Sequence, residues 1–308
     1  MKDVRVVIAT RGSKLSLVQA DVVADALQKH SNAKIELKVV KTRGDIFGNI
    51  PLQELEGKGF FAKEVDQVVM REEADIAVHS LKDVPSDVPK RIALAAVLPR
   101  ASPLDALVSR SREKFEDLPK AAVIGTSSSR RKAALLRLRP DLSIEPIRGN
   151  LDTRLKKLTN GLYDAIVVAE AGLKRMGLEE RATSVFTIDE MTPSPCQGII
   201  GVHVKVDNRK IIELVERIND EKTLLEALME REVLKIVGGG CRVPMGVFAR
   251  ALDNMLDIVC ALYSPDGSRH VYVKEGGPIE RALETARRAA KYIQREGEPI
   301  LSSIRVTG

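Results

Sequence analysis

The stretch Val4–Val40, VRVVIATRGSKLSLVQADVVADALQKHSNAKIELKVV, decides the fold class. Val4–Ala9 is apolar and rich in β-branched residues, as a buried strand requires. Thr10-Arg11-Gly12 supplies a turn. Ser13 to Lys29 carries apolar residues at helical spacing, and Ile35–Val40 returns to a strand pattern. Strand, helix and strand in immediate succession form a βαβ unit, which joins parallel strands. Working outward, Ala62–Arg71 reads as a helix, Asp75–His79 as a third strand and Ile92–Val97 as a fourth. A second run follows Pro99–Pro103. It has strands at Ala106–Ser109, Ala121–Gly125 and Ala165–Ala169, an extended Ser143–Pro146, and helices at Ser129–Leu138, Leu151–Leu158 and Gly172–Gly177. Thr192-Pro193-Ser194-Pro195 reads as a hinge, because its prolines exclude helix. No element is assigned between residues 196 and 221, and no internal repeat is visible.

The tail has a different rhythm. Lys222–Val237 reads as a long helix broken by Gly238-Gly239-Gly240. Val247–Leu252, Leu256–Tyr263 and His270–Lys274 read as strands, with Ser264-Pro265-Asp266-Gly267 as a hairpin turn. Ile279–Glu296 closes the chain as a helix. Strands followed by a helix predict a small α+β domain after the two α/β units.

The chain has 308 residues, 44% of them hydrophobic and 30% charged, the balance of a globular protein with a core. No apolar run approaches the ~18 residues needed to span a bilayer, and the opening strand is too short and charged for a secretory signal. A cytoplasmic protein without membrane contact is expected. The odd count of three cysteines (Cys196, Cys241, Cys260) with no Cys-x-x-Cys argues against a disulfide framework or zinc ribbon. The four histidines stand singly, so no metal site is expected. Nine Lys/Arg against three Asp/Glu lie between Thr126 and Lys157, a local excess equal to the net +6 of the whole chain. Such a concentrated field attracts anions. Nucleic acid is disfavoured, because Trp is absent and aromatics are only 3%, leaving few stacking platforms.

Two helix starts share one chemistry. Thr10-Arg11-Gly12-Ser13 and Gly125-Thr126-Ser127-Ser128-Ser129-Arg130-Arg131 each place hydroxyls, free N–H groups and arginine at a helix N-terminus, the components of an anion site. Ordinary N-capping explains Ser13 equally well. Two arginines in a first turn oppose the helix dipole, and a bound anion relieves that. Arg148-Gly149-Asn150-Leu151-Asp152-Thr153-Arg154 is a third cationic turn. His79-Ser80-Leu81-Lys82-Asp83 ends the third strand, where open α/β sheets bind ligands. There Asp83 reads either as a loop partner of Lys82 or as a fixed carboxylate facing a developing cation. Gly238-Gly239-Gly240-Cys241 lets another group approach the backbone closely, and its cysteine is a candidate covalent attachment point. Cys196 and Cys260 lack that setting and read as structural.

These residues resemble the porphobilinogen deaminase family. The motifs are IATRGS at Ile8–Ser13, GKGFF at Gly57–Phe61, ADIAVHSLKDVP at Ala74–Pro85, GTSSSRR at Gly125–Arg131, RGNLDTR at Arg148–Arg154, YDAIVVAEAGLKRMG at Tyr163–Gly177, Gln197-Gly198 and Gly239-Gly240-Cys241. They fall in family order from residue 4 to about 250, and the region beyond Ala251 adds little. The resemblance implies two periplasmic-binding-protein-like α/β domains and a small α+β C-terminal domain. The expected boundaries are residues 1–98 with 196–219, then 99–195, then 220–308. It implies a hydroxymethylbilane synthase of heme biosynthesis, a transferase that joins four porphobilinogen molecules on a dipyrromethane primer. Cys241 is then the thioether attachment point and Asp83 the catalytic carboxylate. Arg11, Arg130, Arg131, Arg148, Arg154 and Arg175 would hold acetate and propionate groups. Ser13, Asp45, Lys58, Ser80, Lys82, Thr126 and Ser128 would be further cofactor and substrate contacts, with Phe61 packing on a pyrrole and Gln197 near the hinge. A monomer that passes its product to uroporphyrinogen-III synthase is expected. The rival readings are a non-catalytic two-lobed anion-binding protein and a basic nucleic-acid binder. The first gives no reason for Gly-Gly-Gly-Cys. The second predicts steeply salt-dependent binding.

Overall fold

The computed structural model describes residues 5–42, 60–85, 88–238 and 243–306. The chain divides into two compact units, Met1–Ala101 with Gly198–Leu224 and Ser102–Gln197 with Leu225–Gly308.

In the first unit, β1 (Arg5–Arg11) pairs in parallel with β2 (Lys34–Val40) and β3 (Ile76–Ser80). The crossover is α1 (Lys14–His30), started by Ser13, whose Oγ accepts from Ser16 N at 3.2 Å, and ended with Lys29 and His30 beside the dipole's negative end. The remaining strands are β4 (Ile92–Val97) and β10 (Ile200–Lys205), in the order β2-β1-β3-β10-β4. Strand β10 runs antiparallel to both its neighbours. Period-two alternation sends Val6 and Ile8 of β1 to one face, where Val23 and Leu27 of α1 and Leu214 and Val215 of α6 (Arg209–Glu216) cover them. Ala9 and Ala77 face the other way, against Val65 and Val69 of α2 (Phe60–Met70). A strand buried on both faces is apolar throughout, which is why β1 and β3 were legible.

The second unit repeats this plan. Strands β5 (Asp105–Ser109), β6 (Val123–Gly125), β7 (Ser143–Glu145), β8 (Ala165–Ala169) and β9 (Ser184–Val185) lie in the order β7-β6-β8-β5-β9. Here β6 is parallel to β7 and β8, and β5 is antiparallel to β8 and β9. In each sheet the second strand, β1 or β6, has parallel neighbours on both sides, and the fourth, β10 or β5, runs antiparallel to both of its neighbours. The sequence shows no repeat, yet the two topologies match. The helices are α3 (Ser129–Leu138), α4 (Leu151–Thr159) and α5 (Glu170–Arg175).

A third, antiparallel sheet, β11 (Met245–Leu252), β12 (Met255–Tyr263) and β13 (His270–Pro278), shares a core with α7 (Glu221–Val237) and α8 (Ala282–Val306). The outward N–H groups of edge strand β11 are all used. Val247 N donates to Pro193 O at 2.8 Å, Ala249 N to Glu230 Oε1 at 2.8 Å and Ala251 N to Glu226 Oε1 at 3.0 Å. Glu230 also accepts from Cys196 N. Two helix carboxylates and one proline segment thus close an edge that would otherwise pair with other chains.

Two sequence expectations are corrected. Strand β10 and helix α6 occupy a stretch for which the sequence predicts no element, and the sequence pattern does not predict β9 either. The stretch Thr192–Pro195, read as a hinge, is bonded to β11 through Pro193 O, and the chain passes between units at Ala101/Ser102, Gln197/Gly198 and Leu224/Leu225. That bonding is tight. A Cβ on Gly246 would lie 2.2 Å from Thr192 O, so backbone must move. Gly246→Ala is expected to destabilise the protein by about 1–3 kcal/mol, measured by urea unfolding. Unchanged stability would show the contact to be loose.

Candidate functional site

In the first unit the candidate residues gather where β1 and β3 end. Arg11 closes β1. Ser13 Oγ lies 2.7 Å from Ser16 Oγ, so the helix start carries two linked hydroxyls beside the positive end of the dipole. Ser80 closes β3, and its hydroxyl accepts from Gln19 Nε2 at 2.8 Å. Leu81–Asp83 make one 3₁₀ turn. Leu81 is buried and its N–H donates to Ile199 O at 3.0 Å, whereas Asp83 faces outward. Arg11, Ser16, Ser80 and Asp83 line one small depression, with His79 in its wall. Lys82 is half-buried on the same turn. A carboxylate and a guanidinium therefore share one opening at the carboxyl ends of parallel strands.

Beside that depression stands a group the sequence did not reveal. Asp66 on α2 is buried, and its Oδ1 lies 2.8 Å from His79 Nε2 and 3.0 Å from His203 Nδ1. The histidines that stood singly in sequence are brought together by strand pairing. Gly201 is opposite His79 and His203 opposite Ala77, so the two imidazoles are diagonal neighbours on one face. Burial alone would raise the Asp66 carboxyl, but the bonds from His203 and His79 outweigh it and hold the carboxyl at about 2. Because this lies below the ordinary carboxylate value, the stabilisation is complete above about pH 4 and fades as pH falls toward 2. It amounts to roughly 2 kcal/mol. Urea midpoints from pH 6 to pH 2.5 are expected to fall less steeply in Asp66→Asn than in the parent, and parallel curves would refute this.

In the second unit Ser128 caps α3, accepting from Arg131 N at 3.4 Å, just as Ser13 caps α1. Thr126 is buried, and its Oγ1 accepts from Ser128 N at 3.2 Å. The two arginines of the first turn were expected to need a bound anion. Their anion is internal. Asp105, which opens β5 and is 0% exposed, lies 2.7 Å from Arg130 Nη2 and accepts from Arg131 Nε at 2.9 Å and Nη2 at 2.7 Å. Arg130 also donates to Thr192 O at 2.9 Å and Arg131 to Val167 O at 3.0 Å. Burial opposes ionisation of Asp105, but the charges of Arg130 and Arg131 and the Gln197 amide hold its carboxyl far below the usual range. Gln197 Nε2 donates to Pro103 O at 2.7 Å and to Asp105 Oδ1 at 3.0 Å, tying the stretch by which the chain first enters this unit to the one by which it first leaves it. Its amide group is thus engaged by its own chain. Asp105 was missed. A charged residue opening an otherwise apolar strand was the available signal, since buried acids need partners.

Arg148, Arg154 and Arg175 are half-buried on the segments that follow β7 and β8. Arg154 Nε donates to Gly149 O at 2.8 Å. Burial pushes the Arg175 guanidinium down to about 10. Within the second unit these three cations and the serine-capped start of α3 are groups of the kind that bind carboxylates. Asp45, Lys58 and Cys241 lie outside the described residues, as does the side chain of Phe61. The other two cysteines, Cys196 and Cys260, are buried, and burial pushes the Cys260 thiol up, away from the reactive thiolate. Among the described residues no helix is long and apolar enough to cross a membrane.

Two family profiles match this chain: porphobilinogen deaminase, dipyrromethane cofactor binding domain, over residues 6–213, and porphobilinogen deaminase, C-terminal domain, over residues 224–295. The second extends the likeness well past Ala251. A probable porphobilinogen deaminase of Hyperthermus butylicus is 46% identical over 297 residues, covering 94% of this chain and 98% of the relative. A porphobilinogen deaminase of Nitratiruptor is 43% identical, covering 93% and 92%. A probable porphobilinogen deaminase of Archaeoglobus fulgidus is also 43% identical, covering 95% and 98%.

Proposed function

Since the chain belongs to the porphobilinogen deaminase family, we propose that Asp83 is the carboxylate on which its hydroxymethylbilane synthase activity turns. The enzyme is a transferase. It deaminates four porphobilinogen molecules, condenses them head to tail on a dipyrromethane primer and releases linear hydroxymethylbilane with water, ammonia leaving at each addition. The observation that carries the role of Asp83 is its place in one depression with Arg11, at the carboxyl ends of β1 and β3.

Loss of ammonia from an aminomethylpyrrole leaves a cation. An oriented carboxylate lowers the energy of that cation without having to reorganise. Each pyrrole also brings an acetate and a propionate, so the site must hold accumulating negative charge. Arg11, Arg148, Arg154 and Arg175, with the capped helix starts at Ser13 and Ser128, hold those groups. Arg130, Arg131 and Asp105 together keep a net positive charge for the same purpose, presented on a fixed helix start. Ser80, Lys82 and Thr126 complete the contacts, along with Asp45, Lys58 and Phe61, and Gln197 positions the chain around them. The donor set fits dipyrromethane, whose carboxylates match these guanidiniums and N-termini. When bound through Cys241, it supplies the pyrrole carbon to which units are added. The enzyme works as a cytoplasmic monomer and hands its product to uroporphyrinogen-III synthase.

The test is intact mass under denaturing conditions, followed by peptide mapping. The expected mass exceeds that of the chain by two pyrrole units, with the adduct on the peptide containing Cys241. An active enzyme of unmodified mass, or an adduct elsewhere, would falsify the attachment.

A further inference from the structure

The Asp66–His79–His203 cluster takes no part in the chemistry above. Three ligand-type side chains from α2, β3 and β10 converge there, all buried. A metal site is the first reading to weigh. Two ligands on tetrahedral zinc, each about 2.0–2.1 Å from the ion, stand roughly 3.3 Å apart. Here Asp66 Oδ1 is 2.8 Å and 3.0 Å from the two ring nitrogens, at the point where both N–H bonds converge. The geometry is that of one carboxylate accepting two imidazole N–H bonds, from Nε2–H of His79 and Nδ1–H of His203. The rings stand edge to face, with centroids 4.9 Å apart.

His79 is joined to Asp83 by three residues, and the elements packed around that peptide grip it. Ser80 is bonded to Gln19 of α1. Leu81 N–H is bonded to Ile199 O, and a Cβ on Gly201 would come within 2.9 Å of the Leu81 side chain, so β10 seats it closely. Asp66 adds the grip from α2. It is bonded to β3 through His79 and to β10 through His203, and so fixes the strand end from which the 3₁₀ turn springs. We infer that Asp66 is a positioning residue that sets the placement of Asp83 through His79, with His203 holding the carboxylate in line. This rests on the role of Asp83 proposed above. Displacing a reacting group by ~1 Å costs on the order of 10²-fold in rate.

The experiment is a double-mutant cycle on the cofactor-loaded enzyme, loading being verified by intact mass. Asp66→Asn is expected to lower kcat about 10- to 100-fold, with KM for porphobilinogen changed less than about two-fold. Asp66→Asn added to Asp83→Ala is expected to cost almost nothing further, because the residue it acts through is gone. Nitrogen-15 NMR of labelled histidines in the parent is expected to show the proton on Nε2 of His79 and on Nδ1 of His203. Unchanged kcat in Asp66→Asn, an equal loss in both backgrounds, or the opposite tautomer at either histidine overturns the inference. Full activity in Asp83→Ala alone would instead remove the role of Asp83 on which it rests.

Discussion

Alanine at position 83 is expected to give an enzyme that folds normally, retains its covalent primer and turns over about 10²–10³-fold more slowly. The separation of effects follows from where the side chain stands. Asp83 faces outward at the end of a 3₁₀ turn whose anchor is the buried Leu81, so truncating it removes no core packing. Exposed substitutions of this kind change stability within about 0.5 kcal/mol. Its carboxylate, however, is the anion placed against a cation that exists only while ammonia is leaving, beside an arginine that serves carboxylates. Loss of such a group falls on the chemical step, so kcat drops and KM for porphobilinogen moves little. Steady-state kinetics with calorimetry on the same sample checks both halves. Near-parental kcat would remove Asp83 from the chemistry, and a large fall in Tm would make the kinetic loss uninformative about it.

The largest expected stability loss is at Asp105. Asp105→Ala leaves Arg130 and Arg131, only 4% and 7% exposed, without the carboxylate that neutralises one of their charges. Uncompensated buried charge costs about 3–5 kcal/mol, a large part of the 5–15 kcal/mol that a domain has in total. Asp105→Asn should recover part of the loss, because an amide oxygen can still accept from Arg131 while the charge is gone. The Asp105 carboxyl is held below its unfolded value, so its contribution is present above the ordinary carboxylate range and disappears with acidification. Urea unfolding at neutral pH should therefore rank parent, Asn and Ala in that order. Equal midpoints for parent and Ala would mean that the ion triad contributes nothing net.

Local elements were legible because their cause is local. Residues 5–11 alternate between two apolar faces, Ser13 and Ser128 cap the helices that follow them, and Gly267 at φ 74° closes the 264–267 turn. Strand β10 is not predicted by its sequence pattern, although most of Ile199–Val204 is apolar. Gly201 and His203 interrupt the run, and what makes it a strand is a pair of antiparallel neighbours more than a hundred residues earlier. The anion-binding character of the 126–157 segment was legible from charge density. That two of its arginines are already partnered was not, because Asp105 sits 26 residues before Arg131 on a strand that reads as ordinary core.

Order along the chain by itself determined the βαβ rhythm, the serine-capped helix starts, the motif set that marks the family and the lone cysteine after three glycines. Periodicity, capping and turn preference act within a few residues, so they are written where they act. Only the tertiary structure decided which charges meet. Asp66 and His203 are 137 residues apart yet bonded at 3.0 Å, and the fully buried Asp105 gathers two nearly buried arginines. Coulomb and hydrogen-bond energies depend on distance through space and on burial, and neither is set until the sheets have formed.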